Sequence, residues 1–71
     1  MTTFNLSIGK KIKLLRTALD MNQTEFAGRI GVHLLMVHKI ENDRREPGQD
    51  ILDAIKREFE VSPDSIRLTA Q

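Results

Sequence analysis

Gly31 stands between two short stretches whose apolar residues recur at helical spacing, and this one punctuation mark limits the folds open to the chain. Before it, Phe26, Ala27 and Ile30 share one side of a helix over about 23–30. Asn22-Gln23-Thr24-Glu25 reads as a capping box, with an acceptor at the cap and Glu three residues on. After it, Val37 and Ile40 lie three apart and predict the inward stripe of a helix over about 34–42. Glycine takes the left-handed backbone that ends a helix without a Cβ penalty. The sequence thus predicts two short helices packed across a turn of three or four residues.

The remaining segments extend the pattern. Ile8, Ile12, Leu15 and Leu19 recur at intervals of four, three and four, which predicts a helix over about 7–19 with Asn5 or Ser7 as cap. Asn42 to Gly48 is polar and contains Pro47-Gly48, so it reads as a loop. Ile51, Leu52, Ile55 and Phe59 predict a helix over about 49–60. Ser62 followed by Pro63 reads as an N-cap with proline at the first helical position, opening a fifth helix over about 63–67. No segment alternates with period two, so the expected fold is an all-α, compact five-helix bundle forming one domain over 1–71.

A chain of 71 residues buries only about 60% of its unfolded surface. With no cysteine, disulfides and thiolate metal sites are excluded, and two histidines do not make a closed zinc site. Stability is expected from regular helix packing and a partner chain. No run approaches the ~18 apolar residues of a membrane span, and the first residues lack a basic start before an apolar run, so neither a span nor a signal peptide is expected. The absence of cysteine suits the cytoplasm. No nucleophile, base and orienting group fall together, and Ile8-Gly9-Lys10 holds a single glycine rather than a phosphate-binding loop. No enzyme activity, cofactor, metal or small-molecule ligand is expected.

The stretch Gln23-Thr24-Glu25-Phe26-Ala27-Gly28-Arg29-Ile30-Gly31-Val32 is similar to the second helix and turn of the Cro/repressor-type (lambda repressor-like, XRE) helix-turn-helix family. Val37-His38-Lys39-Ile40-Glu41-Asn42 resembles the second half of its recognition helix. The resemblance continues at Ile8-Gly9, Leu15-Arg16, Arg45-Glu46-Pro47, Ile51-Leu52, Phe59 and Val61-Ser62. It implies five helices, with the recognition helix in the DNA major groove. It also implies twofold dimers on half-sites about one helical turn, ~34 Å, apart.

Carried onto this chain, the resemblance makes Gln23 a phosphate contact, with Thr24 beside it and Asn42, Arg44 and Arg45 completing the phosphate set. Arg16 and Glu41 match a pair tying the first helix to the end of the recognition helix. The base-reading positions are His33, Leu34, Leu35, His38 and Lys39. Here the chain departs from the family, which normally has Ser or Thr at the position of His33 and polar residues at Leu34 and Leu35. Histidine is a poor N-cap. Leucines make no bidentate hydrogen bonds to bases; they contact thymine methyls, or one of them is buried in the core, or both cover a protein interface. Lys39 donates to guanine or to phosphate. Val61, Pro63, Ile66 and Leu68 are the expected dimer contacts.

The formal net charge of +1 is low for a DNA binder. It divides unevenly, with eight basic against four acidic residues in 1–45 and three against six in 46–71. That asymmetry orients the first part toward DNA. The expected function is a sequence-specific transcriptional regulator, a homodimeric repressor on a pseudo-palindromic double-stranded operator. The alternative is a protein-interaction module of the same fold, of antirepressor or antitoxin type, using an apolar Leu34, Leu35 and Met36 surface.

Overall fold

A computed structural model describes residues 6–60. They form four helices, α1 (Ile8–Ala18), α2 (Gln23–Ile30), α3 (Leu34–Glu41) and α4 (Gln49–Phe59). Among the described residues there is no strand. The bounds follow the expected ones to within a residue, because the flanking residues are caps: Ser7 and Leu19 for α1, Asn42 for α3, Glu60 for α4. The count of five helices is reduced to four over these residues. The expected helix over 63–67, and Val61, Pro63, Ile66 and Leu68 with it, lie outside the described residues.

The starts of α1 and α2 are held by side-chain caps, whereas α4 begins at Gly48 without one. The Ser7 hydroxyl accepts from the Lys10 N–H at 3.1 Å. At α2 the capping box closes in both directions: Asn22 Oδ1 accepts from the Glu25 N–H at 2.8 Å, and Glu25 Oε1 accepts from the Asn22 N–H at 3.0 Å. The ends of α1, α2 and α3 share one device. Asp20, Gly31 and Asp43 have positive φ, and the N–H of the next residue reaches back five positions. Met21 bonds the Arg16 carbonyl, Val32 that of Ala27 and Arg44 that of Lys39. Only one of these left-handed positions is a glycine; a side chain there costs about 1–2 kcal/mol.

The core joins Ile12 and Leu15 of α1, Phe26, Ala27 and Ile30 of α2, Val37 and Ile40 of α3, and Ile51, Ala54 and Ile55 of α4. Phe26 is fully enclosed and stacks on Phe59, with centroids 5.4 Å apart and planes 8° from parallel. The Arg29 guanidinium covers the same Phe59 ring at 5.1 Å. This layering clamps α4 to α2.

The inward stripe of α1 differs from the expected one. Leu19 lies beyond the helix end and is exposed. Its expected place on the inner face is surrendered because the chain turns away at Asp20. Gly9 and Arg16 instead share that face with Ile12 and Leu15. Gly9 meets the end of α3 so closely that an added Cβ would overlap the Ile40 carbonyl oxygen.

Arg16 reaches the one buried charged residue described, Glu41, which is 2% exposed. The contact is a two-pronged fork, Nε to Oε2 at 2.7 Å and Nη2 to Oε1 at 3.0 Å. Gln23 Nε2 donates to the same Oε1 at 3.0 Å. Arg16 Nη1 donates to the Met21 carbonyl at 2.8 Å. One carboxylate thus ties α1, the turn after it, the start of α2 and the end of α3. Among the described residues no buried side-chain polar atom lacks a partner.

Two substitutions test this packing by chemical denaturation. Glu41→Ala leaves the Arg16 guanidinium without its counter-charge and is expected to cost about 3 kcal/mol or more. That is most of the stability of a domain this small, on the order of 5 kcal/mol. An unchanged midpoint would show that the pair does not hold the fold. Gly9→Ala is expected to cost about 1–3 kcal/mol, because the colliding atom belongs to backbone and cannot rotate away. A neutral result there would mean that α1 slides freely on α3.

Candidate nucleic-acid interface

The outer face of α3 is the surface that the packing leaves free. Val37, Ile40 and Glu41 point inward, and Met36 packs against the core beside them. Met36 therefore does not join the apolar surface expected of Leu34, Leu35 and Met36. Its spacing of four from Ile40 places it on the flank of the buried stripe. Leu34 and Leu35 remain outside, 39% and 57% exposed. Burial of either leucine in the core is thereby excluded. His38 and Lys39 are exposed one turn further along.

His33 is the N-cap of α3, with extended backbone, and its Nδ1 accepts from the Leu35 N–H at 3.1 Å. Histidine is a poor N-cap by preference, yet its ring occupies the cap position here. The ring nitrogen accepts from the second residue of the helix, as a serine or threonine hydroxyl does at an N-cap. Asn42 closes the other end, its Nδ2 donating to the His38 carbonyl at 2.8 Å and lying against the His38 ring.

The expected phosphate residues separate into two groups. Arg44 and Arg45 are exposed in the loop after α3, and neither forms an ion pair among the described residues. Thr24 is exposed in the first turn of α2. Gln23 is different: it is half-buried, and its amide nitrogen is engaged by Glu41. Any phosphate contact from this residue uses its remaining amide hydrogen or the backbone N–H groups at the start of α2.

Lys10 is an addition that the sequence pattern does not single out. Its Nζ donates to the Glu41 main-chain carbonyl at 3.3 Å, placing a cation at the negative end of α3. The contact spans 31 positions along the chain and carries no periodic signal. The face as assembled has apolar contact at its front, two histidine rings, one lysine, and two arginines beyond its end. It is suited to hydrogen-bond acceptors, methyl groups and phosphates, and none of Leu34, Leu35, His38 and Lys39 offers a carboxylate to a cytosine amine.

Comparison with known proteins agrees with this geometry. A family model described as Helix-turn-helix matches residues 12–66. A curated relative named Antitoxin PezA, from Streptococcus pneumoniae serotype 4 (strain ATCC BAA-334 / TIGR4), is 36% identical over 55 residues. The match covers 78% of this chain and 35% of the relative, so the chain spans about a third of that protein's length. No solved structure matches at a significant level. No helix among the described residues is long and apolar enough to cross a membrane. With α2 and α3 joined at Gly31, and the family match running from within α1 through α4, the chain belongs to the XRE-type helix-turn-helix family of DNA-binding regulators.

Proposed function

We propose that the protein is a sequence-specific transcriptional regulator acting as a dimeric repressor on a pseudo-palindromic operator, with α3 in the major groove. The observation that carries this reading is the exposed front of α3, held by the buried Glu41 fork while its reading positions face outward. A single helix fits the major groove, whose edges distinguish all four base pairs. Leu34 and Leu35 contact thymine methyls, which directs the protein to A·T-rich half-sites. Lys39 donates to guanine or to phosphate. Arg44 and Arg45 clamp phosphates, with the start of α2 at Gln23 and Thr24 as a second anchor and Asn42 between them. The dimer forms through Val61, Pro63, Ile66 and Leu68.

A second reading is supported by a specific observation. The relative is named an antitoxin, and leucines exposed on an otherwise polar helix face are a normal marker of protein contact. In that reading Leu34 and Leu35 meet a partner protein.

Selection of duplexes from a random pool tests the first reading, with palindromy, half-site spacing and A·T preference as its readouts. Recovery of no duplex at low salt would sink it. Arg44→Ala and Arg45→Ala are each expected to weaken binding on all sequences and to flatten the log–log salt dependence by roughly one unit. An unchanged slope rejects the clamp. Leu34→Ala and Leu35→Ala are expected to lower affinity for the selected duplex while sparing unrelated DNA. Equal loss on both DNAs removes the leucines from base reading, and retained DNA binding by both variants favours the protein-contact reading.

A further inference from the structure

We propose that the cap role of His33 also sets what it reads: with Nδ1 committed to the Leu35 N–H, the neutral ring carries its proton on Nε2. It thereby presents DNA with a donor at the front of α3. The inference rests on the DNA reading above for its partner, but not for its tautomer.

A main-chain N–H only donates, so the ring nitrogen 3.1 Å from it must carry a lone pair. A neutral imidazole has one N–H, and with Nδ1 accepting, that proton is on Nε2. The ring is exposed, and the cap is its only hydrogen bond among the described residues. Nε2 lies across the ring from the cap, so its N–H is aimed away from the backbone. A serine or threonine, usual at this position in the resembled family, satisfies the same N–H with a shorter side chain. Leu34 and Leu35 follow without any donor, which leaves His33 as the side-chain donor at this end of the helix. A donor held there selects an acceptor, whether purine N7, guanine O6, thymine O4 or a phosphate oxygen, and rejects the amino groups of adenine and cytosine.

Two measurements test the proposal. Long-range nitrogen–proton NMR on the free protein is expected to show the neutral His33 ring protonated on Nε2; protonation on Nδ1 overturns the assignment. On the duplex selected by the native protein, His33→Ser is expected to keep the thermal midpoint and lose affinity roughly tenfold, the scale of one base contact. Purines are then replaced one at a time by their 7-deaza analogues. A loss at one position for the native protein, absent in His33→Ser, assigns the acceptor to N7, and a His33→Ser loss confined to the selected duplex with no such position assigns it to guanine O6 or thymine O4. An affinity loss that is the same on unrelated duplexes assigns it to phosphate. Native-like affinity of His33→Ser on both DNAs overturns the donor role. Failure to select any duplex removes the DNA reading and the donor role with it. The NMR result needs no DNA and tells that failure apart from a wrong tautomer.

Discussion

The carboxylate of Glu41 is the constraint on which the arrangement of the first three helices depends. A charge buried to this degree is tolerated only when it is paired and its lone pairs are filled. Here three donors converge on two oxygens, two from Arg16 and one from Gln23. Because those donors come from α1 and the start of α2, the bond lengths leave α3 little freedom to slide or rotate. Apolar packing is non-directional and accepts small shifts. A forked ion pair does not, which is why its contribution is to geometry more than to net stability.

Fixing α3 this way matters because of what its other face carries. A shift of one residue's rotation, about 100°, would turn Leu35 or Lys39 toward the core and bring Val37 out. Gly9 adds a steric stop from behind, and the Lys10 ammonium closes the last turn. At the front, the His33 ring fixes the first turn by its cap. The outer face of α3 is therefore pinned at both ends, and the contribution of α4 is indirect, through the stacked Phe26 and Phe59 rings that brace α2.

Much of this arrangement is legible in the amino-acid sequence. The four described helices follow from apolar spacing, and the starts of α1 and α2 from residues whose side chains cap helices by simple chemistry. The ends are less legible. Gly31 announces its left-handed turn, whereas Asp20 and Asp43 adopt the same backbone although aspartate visits it only occasionally. Leu19 and Met36 depart from their expected places for a shared reason. Periodicity says which residues align on a helix, but it does not say where the chain leaves that helix or how wide the buried stripe is.

By itself, the sequence determined the four described helices, the placement of the turn at Gly31, and membership of a helix-turn-helix family of DNA-binding regulators. These depend on local propensity and on patterns read within a few residues. Tertiary structure alone decided that the Gln23 amide turns to Glu41, that Lys10 closes α3, and that Met36 goes inward while Leu34 and Leu35 stay out. Each of those outcomes depends on packing or on contacts between residues far apart in the chain. A linear pattern carries no information about such distances until the helices have packed.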